Sequence, residues 1–423
     1  MQTDIAPLLT APSPSARQPG VASEHLPLER MFYWERLAPE QCCFVQPFDG
    51  GQLKTYNWAQ AIDEVRRVAA WLKAKQWPAG SRIAILGKNS AGWILSDWAI
   101  WMAGHVSVPI YPTLVTANVR QILEHSESVA CFVGKLDDLA MLDGIPDQAT
   151  VLALPLAGAT VVSRSAEVWD ALLTQAAPLV GEPVRHGREL ATIVYTSGTT
   201  GTSKGVMFNF EQLAQAVVDQ MSQINLGTER RWLSYLPMAH VVERMGVEMA
   251  LLGKGGKVYF AESLETFIDD LRRARPNLFI SVPRLWLKFQ QNVFEKIPEQ
   301  RLNRLLGIPV VGYLVRKKIL KALGLDAVVL SFSGSAAITP ELLAWWDRLG
   351  LHIVEAYGMT ELACVSHSCW FGGIAWGTVG KPVPNVDHLI DPVTEEIQIL
   401  SPVATLGYYK APDLTRELFT DDG

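Results

Sequence analysis

The sequence has few cysteines and no long apolar run, and each shortage excludes a class of protein. Five cysteines among 423 residues show no C-x-x-C spacing, which argues against a disulfide scaffold and against a cysteine zinc site. The most apolar stretch, residues 98–110, is interrupted by Gly104, His105 and Pro109. It is also shorter than the roughly 18 residues that a transmembrane helix needs. We therefore expect unpaired thiols in a reduced compartment and no membrane-spanning helix.

An excess of positive charge is also absent. The formal net charge is -6, which excludes a dedicated nucleic-acid binder. The first residues are rich in Pro, Ala and Ser without the apolar core of a signal peptide, so residues 1–27 are interpreted as a disordered tail and the location as cytoplasmic. A chain of 423 residues exceeds one ordinary core, so two or more subdomains are expected.

The segment TSGTTGTSKG, residues 196–205, is typical of a loop that wraps phosphate. It is rich in hydroxyl side chains and contains three glycines and one lysine. Glycine lets backbone N–H groups converge on an anion, and lysine adds positive charge. A β-branched run at 190–195 precedes it, and after a short strand Asn209 and Gln212 predict the capped start of a helix.

Two better-known motifs share part of this pattern. Only two residues separate Gly198 from Gly201, and Gly205 follows Lys204, so the loop is not a Walker A motif. Residues 201–205 match the G-x-S-x-G pattern of a serine hydrolase, with Ser203 as the nucleophile. That motif needs a strand directly before its serine and a helix directly after, and neither is predicted here. A phosphate loop is favoured over the hydrolase and over a plain surface loop.

Predicted strands and helices alternate along the chain. A helical pattern at 63–75 is followed by a strand at 82–86, and a helix from about residue 91 is followed by a strand at 106–110. The same alternation resumes after the phosphate loop. This order predicts an α/β fold with mainly parallel sheets covered by helices. From about residue 378 short segments punctuated by Pro and Gly predict a small antiparallel or barrel-like subdomain.

Two further segments carry candidate chemistry. In residues 353–361, Tyr357 offers a ring face for a purine, Thr360 a hydroxyl for a phosphate, and Glu361 a carboxylate for Mg²⁺. A strand end followed by a capped helix is the plainer reading of the same residues. His240 lies at a break between a strand and a helix, where a single histidine is more often structural than catalytic.

Six segments in a fixed order resemble the motifs of one family. They are TSGTTGTSKG, LPMAHVVER, VPRLW, SGSAA, YGMTE and GTVGKPVP. Together they resemble the adenylate-forming (AMP-binding) superfamily, and the second and third are most similar to long-chain fatty acyl-CoA synthetases. The resemblance implies paired α/β subdomains over residues 28–377 and part of a small distorted β-barrel subdomain over 378–423. A C-terminal domain would follow beyond this chain.

The resemblance also implies an activity and its residues. A fatty acid carboxylate would attack ATP to give acyl-AMP and pyrophosphate, and CoA, as co-substrate, would then take the acyl group. His240 would lie at the acyl carboxylate, and Glu361 would hold Mg²⁺. The catalytic residues would be Lys204, His240, Thr360 and Glu361. The nucleotide contacts would be Thr196, Ser197, Gly198, Thr199, Thr200, Gly201, Lys204, Gly334, Ser335, Ala336, Glu355, Ala356, Tyr357, Gly358, Met359 and Thr360.

The sequence departs from the family pattern in three places. Ser203 stands where the family usually has Pro, and Ser335 where many relatives have Ala. The ribose-binding Asp and the C-terminal catalytic Lys would lie beyond Gly423, so we expect intact acyl and nucleotide surfaces with impaired turnover. A medium-chain or aryl acid ligase, a fatty acyl-AMP ligase that loads a carrier protein, and a non-catalytic binding relative remain alternatives.

Residues 301–323 join an apolar stretch at 305–311 to a basic run, Arg316, Lys317, Lys318 and Lys321. One hypothesis is an element that contacts a membrane surface, at the inner membrane face. A packed helical hairpin with a solvated basic face is the favoured alternative.

Overall fold

Strands and helices alternate along most of the chain, as predicted. The computed structural model describes residues 20–196, 203–221, 224–369 and 375–421. The strands are β1 Cys42–Phe48, β2 Gln52–Asn57, β3 Arg82–Leu86, β4 Val106–Ile110, β5 Ala130–Val133, β6 Thr150–Ala153, β7 Glu167–Val168, β8 Leu190–Thr196, β9 Lys204–Asn209, β10 Arg231–Ser234, β11 Lys257–Phe260, β12 Leu278–Ser281, β13 Leu330–Ser333, β14 Ile353–Tyr357, β15 His367–Ser368, β16 Lys381–Pro382, β17 Asp387–Ile390 and β18 Ile397–Leu400.

The helices cover both faces of the sheets. They are α1 Pro27–Leu37, α2 Trp58–Ala74, α3 Ala91–Met102, α4 Thr116–Ser126, α5 Ala159–Arg164, α6 Trp169–Gln175, α7 Phe210–Met221, α8 Val241–Glu243, α9 Ala250–Lys254, α10 Phe267–Ala274, α11 Pro283–Lys296, α12 Glu299–Leu306, α13 Pro309–Leu323, α14 Pro340–Arg348 and α15 Pro412–Leu418. A π-helical segment, Arg244–Met249, joins α8 to α9. No helix among the described residues is long and apolar enough to cross a bilayer.

The first sheet has seven strands in the order β7-β6-β5-β3-β4-β8-β9. All neighbours are parallel except β8 and β9, which are antiparallel. Successive residues of a strand face opposite sides. Accordingly, Ile83 and Ile85 pack into one buried cluster with α2 and α3, whereas Ala84 and Leu86 pack into another with α4. Burial on both faces explains the continuous apolar strands in the sequence.

Two smaller sheets complete the α/β part of the fold, and one of them combines early strands with later ones. One has the order β12-β13-β14-β15-β16, with its first three strands parallel. The other has the order β10-β11-β1-β2, with β10, β11 and β1 parallel. Helices α11 and α14 pack beside the first of these through Trp286, Trp345 and Trp346, all buried. The predicted fold class, α/β with mainly parallel sheets covered by helices, is confirmed.

The last described residues contact both the five-stranded sheet and strand β9 of the seven-stranded sheet. Strand β16 joins the five-stranded sheet, and β17 pairs with β18 as a hairpin. The segment 405–409 runs beside β9: the N–H of Tyr409 donates to the carbonyl of Gly205 at 2.7 Å, and Leu406 donates to Met207 at 3.1 Å. The predicted domain boundaries at residues 27 and 377 stay predictions.

Two segments have the local structure that the sequence predicted, and a third differs from its prediction in part. Asn209 and Gln212 form the predicted capping box of α7, with reciprocal bonds of 2.8 and 3.0 Å. Helices α12 and α13 form a hairpin, which agrees with the helical alternative for residues 301–323. Part of the predicted tail is built into the fold, because Leu26 is buried and the N–H of Gly20 donates to Gln215 at 3.0 Å.

Candidate functional site

A cavity of about 310 Å³ lies at the carboxyl ends of β12, β13 and β14. In open α/β sheets, ligands bind at this end of parallel strands. One part of the wall is apolar and includes Ile224, Leu278, Ile280 and Phe332. The other part includes His240 and the loops that follow β13 and β14. The wall therefore combines a hydrocarbon surface on the bodies of β12 and β13, which we call the apolar end, with backbone and polar groups of the loops beyond β13 and β14, which we call the polar end.

The polar end is shaped by residues that leave no room for side chains. A Cβ on Gly334 would lie 3.0 Å from the carbonyl oxygen of Ala356, and one on Gly358 would lie 1.8 Å from that of Cys364. Ser335 has φ 66°, in the left-handed region. The Gly334 backbone thus packs directly against β14, and the Gly358 backbone packs against the turn at Cys364, so both positions require glycine.

The predicted nucleotide residues are only partly brought together at this cavity. Its wall includes Gly334, Ser335, Ala356, Gly358, Met359 and Thr360. Ala336 and Tyr357 do not line it; Ala336 is exposed, and the Tyr357 ring lies edge-on to His367 at 5.9 Å between centroids. Glu355 is buried beneath the loop, and this burial raises the pKa of its carboxyl.

His240 caps α8 and faces the cavity. Its Nδ1 accepts the N–H of Val242 at 3.1 Å, so in the neutral ring the proton lies on Nε2. Burial lowers the pKa of His240, which favours this neutral form. A neutral imidazole with an N–H on Nε2 is able to donate a hydrogen bond to a carboxylate in the cavity.

Six of the predicted loop residues, 197–202, lie outside the described residues, but both ends of the loop are described. Thr196 ends β8 and Lys204 begins β9. Ser203 is therefore followed by a strand, whereas the hydrolase motif requires a helix. The Nζ of Lys204 lies 5.1 Å from the centre of the Tyr408 ring.

Tyr408 joins the two charged residues that the sequence assigned to phosphate and metal. Its hydroxyl donates to Glu361 Oε1 at 2.8 Å, and its ring lies beneath the Lys204 ammonium. The N–H of Thr405 holds the Glu361 carbonyl at 2.7 Å. The last described segment thus holds the predicted metal ligand beside the predicted phosphate lysine.

Sequence reasoning missed Tyr408 and Asn89. Tyr408 lies in none of the six motif segments, so no sequence signal marked it. The side-chain amide of Asn89 donates to Leu236 at 2.6 Å and to Glu243 at 3.2 Å, and its Oδ1 accepts the N–H of Met238 at 3.2 Å. It holds the loop that presents His240, and nothing in its sequence neighbourhood indicated this role.

The Glu361 carboxylate suits a Mg²⁺ site in which the phosphates of a bound nucleotide supply further ligands. Mg²⁺ in nucleotide sites is held by one or two carboxylates, with phosphate oxygens and water completing the shell. The described residues contain no group of three or more His, Cys, Asp or Glu that would form an all-protein site.

The five cysteines are free, and burial raises the pKa of the Cys364 thiol to about 12, in keeping with a packing role.

A buried ionic group supports the wall that carries His240. The Arg244 guanidinium donates to Asp97, to Glu248 at 3.3 Å and to Thr192 at 2.7 Å. Burial raises the pKa of the Asp97 and Glu248 carboxyls. Since Asp97 is on α3 and Thr192 on β8, Arg244 anchors the π-helical segment to the first sheet.

Beside this group, burial raises the pKa of the Glu243 carboxyl to about 8. A raised carboxyl pKa adds stability at low pH that is lost as pH rises through the folded-state value. We expect Glu243→Gln, which keeps an acceptor for the Tyr235 N–H, to reduce the fall in unfolding free energy between about pH 5 and about pH 8.5. Urea titrations at both pH values measure this difference.

The control is Glu341→Gln, at an exposed position in the first turn of α14. It should show the wild-type dependence on pH. An equal pH dependence for Glu243→Gln and wild type would show that Glu243 does not titrate in this range.

Comparison with known proteins shows the family of the chain. Residues 34–405 match the family described as AMP-binding enzyme. Long chain acyl-CoA synthetase 6, peroxisomal, of Arabidopsis thaliana is 29% identical over 82% of this chain and 55% of its own length. Long-chain-fatty-acid–CoA ligase FadD15 of Mycobacterium bovis is 28% identical over 96% and 72%. The chain thus spans little more than half the length of the Arabidopsis relative.

Solved structures share the fold. The N-terminal domain of FACL13 from Mycobacterium tuberculosis has a TM-score of 0.73 at 21% identity, with 94% of each chain covered. The A domain of carboxylic acid reductase from Segniliparus rugosus, in complex with AMP and a co-purified carboxylic acid, has a TM-score of 0.76 at 22% identity, covering 94% of this chain and 71% of that one. With the family match over most of the chain, the predicted family is confirmed: the protein belongs to the AMP-binding enzyme family.

Proposed function

We propose that the protein activates a fatty acid with ATP to acyl-AMP, releasing pyrophosphate, and that the acyl group is then transferred to CoA. The observation that carries this proposal is one cavity whose wall combines an apolar end, a polar end and His240. The names of its relatives, long-chain acyl-CoA synthetases and ligases, support the choice of acid and acceptor. We propose a cytoplasmic location with peripheral contact at the inner membrane face.

The predicted residues that line the cavity, and those of the phosphate loop, keep their roles in this proposal. The loop from Thr196 to Lys204 would hold the β- and γ-phosphates, and Thr360 the α-phosphate. The adenine would lie against the backbone of Gly334 and Gly358, in the loops after β13 and β14. The hydrocarbon chain of the acid would occupy the apolar end, beside Ile280 and Phe332.

The chemical difficulty is that a carboxylate must approach a polyphosphate, so an anion attacks an anion. The Nε2–H of His240 would orient the carboxylate, and Lys204 would neutralise phosphate charge. Glu361 would hold Mg²⁺, which when bound neutralises further phosphate charge. A carboxylate oxygen then bonds to the α-phosphorus as the bond to pyrophosphate breaks. In the second step, the CoA thiolate attacks the acyl carbonyl and AMP leaves.

One experiment on the purified protein distinguishes the possible acids and acceptors. Aliphatic acids of increasing length and aryl acids are supplied with ATP and Mg²⁺, and AMP and thioester are measured separately. A synthetase forms both products with CoA. A ligase that loads a carrier protein forms acyl-AMP without thioester, and a non-catalytic relative forms neither.

Lys204→Ala and Glu361→Ala test the phosphate and metal assignments. Removing one group that stabilises transition-state charge typically costs about 10²–10³ in rate, and we expect each variant to lose pyrophosphate exchange to that extent. Lys75→Ala, at the end of α2 and away from the cavity, is the control. Unchanged exchange in both site variants would undo the assignment.

Tyr408→Phe tests whether the hydroxyl positions Glu361 for the metal. The variant keeps the ring beneath Lys204 and removes only the bond to Glu361. We expect the Mg²⁺ concentration for half-maximal exchange to rise several-fold, with a smaller change at saturating Mg²⁺, because a misplaced carboxylate is compensated by excess metal. Tyr409→Phe, at the adjacent ring that packs on His125, is the matched control. A Mg²⁺ dependence identical to wild type would assign Tyr408 to packing alone.

Gly246→Leu tests the acyl end of the cavity. A Cβ at Gly246 would lie 2.5 Å from Cδ1 of Ile280, so a larger side chain fills the apolar end. We expect kcat/KM for long aliphatic acids to fall at least tenfold, while that for the shortest acids that wild type accepts changes little. An equal loss for all acids would indicate a folding defect, and no loss would place the acyl chain elsewhere.

A further inference from the structure

The tip of the α12–α13 hairpin exposes a cluster of large apolar side chains. Ile308 is 51% exposed, Val310 73%, Tyr313 60% and Leu314 58%. Single exposed apolar residues are ordinary, but a contiguous group marks an interaction surface. We name this group, with Val311, the apolar tip.

The base of the hairpin is firmly packed, so the apolar tip is not a loose part of the core. Leu302, Ile319 and Leu323 are buried in the cluster that contains Trp286 and Trp346. At the turn, a Cβ on Gly312 would lie 2.6 Å from the carbonyl oxygen of Leu306, so the helices approach closely there. The hairpin holds a fixed position, and its apolar tip projects away from the cluster.

Positive charge surrounds the apolar tip. Between Glu299 and Asp326 the sequence contains six basic residues and no acidic one, although the whole chain has a net charge of -6. All six side chains are exposed, and none forms an ion pair with a described residue. These residues, which we name the basic collar, are Arg301, Arg304, Arg316, Lys317, Lys318 and Lys321.

The helical repeat places the charges at the height of lipid headgroups. Val310, Leu314, Lys317 and Lys321 follow the spacing of one helix face, opposite the buried Ile319. At 1.5 Å per residue, Lys317 lies about 10 Å along α13 from Val310. If the hairpin meets a bilayer with its tip foremost, apolar side chains that enter about 5–10 Å leave the lysines at the level of the anionic headgroups. The spacing fits that geometry.

We propose that the α12–α13 hairpin is a membrane-docking element, whose apolar tip enters the surface of an anionic bilayer while the basic collar contacts lipid phosphates and carboxylates. Charge decides between occupants. A second copy of this acidic chain would bring two basic collars together and be repelled, whereas an anionic bilayer complements both parts of the surface. The proposal identifies the surface responsible for the peripheral contact proposed above and does not require the catalytic activity.

Co-sedimentation with vesicles tests the proposal. Vesicles of phosphatidylcholine mixed with phosphatidylserine are compared with phosphatidylcholine alone, using the purified protein. The wild type should bind the mixed vesicles and lose binding at high salt. Each basic residue near an anionic surface contributes about 1 kcal/mol, so the triple variant R316E/K317E/K318E should bind on the order of 100-fold more weakly.

The apolar tip is tested by V310S/L314S, which should weaken binding about tenfold or more, because two buried aliphatic side chains are lost from the lipid. The matched control is L264S/V393S, which changes two residues that are 91% and 87% exposed elsewhere; it should bind as wild type. Because all altered residues are exposed, near-ultraviolet circular dichroism should be unchanged in every variant.

Two results would overturn the proposal. One is equal binding of wild type, the charge variant and the tip variant to the mixed vesicles. The other is a concentration-dependent dimer in light scattering that V310S/L314S abolishes, which would assign the apolar tip to a second copy of the chain. Pyrophosphate exchange without vesicles should be unaffected by these variants, so failure of docking and failure of the proposed chemistry are distinguishable.

Discussion

The site depends on one buried guanidinium. Arg244 is enclosed between Asp97 of α3, Thr192 of β8 and Glu248 of its own π-helical segment. Removing one partner of such a buried group leaves an uncompensated charge and costs about 3–5 kcal/mol. The same segment continues the helix that His240 caps and contributes Gly246 to the cavity wall. The position of the cavity relative to the first sheet therefore rests on this ionic contact.

A second constraint comes from the end of the described chain. Segment 405–409 pairs with β9 and places Tyr408 between Lys204 and Glu361. Two residues with opposite charge, far apart in sequence, are held near each other without a direct ion pair between them. For the proposed reaction this arrangement has a physical advantage, because a lysine paired with its own glutamate would be neutralised before phosphate arrived. The tyrosine keeps each charge in place through a separate interaction, a ring face for one and a hydroxyl for the other.

Apolar side chains have different environments in the cavity and at the apolar tip. In the cavity, Leu278, Ile280 and Phe332 lie on strands whose other residues are buried, so the open space between them is bounded by rigid backbone. At the apolar tip, Val310 and Leu314 lie on a helix whose opposite face is buried, so their own face is left to solvent. The two surfaces suit the same apolar class of molecule in two states: a single hydrocarbon chain within the protein and an assembled bilayer outside it.

Local patterns were sufficient for most strands and helices. The strand at 106–110 and the capping box at Asn209 have the predicted bounds and bonds, because alternation of apolar residues and side-chain caps are short-range effects. Gly334 and Gly358 were also predicted as site residues, because the family resemblance implied them as nucleotide contacts. The close contact of Gly334 with Ala356, which requires a glycine, was not predicted, because it depends on the pairing of β13 with β14.

The sequence by itself determined the fold class, the family and the residue types available for phosphate, metal and carboxylate. Only the tertiary structure decided which of them meet. In the structure, Tyr357 and Ala336 do not line the cavity. Tyr408 and Asn89 support the site through hydrogen bonds to residues that lie 47 and 154 positions away in the sequence. The tertiary structure also separated the buried base of the α12–α13 hairpin from its exposed tip. Such contacts are set by the packing of helices and sheets across long separations, and local sequence patterns carry no information about those distances.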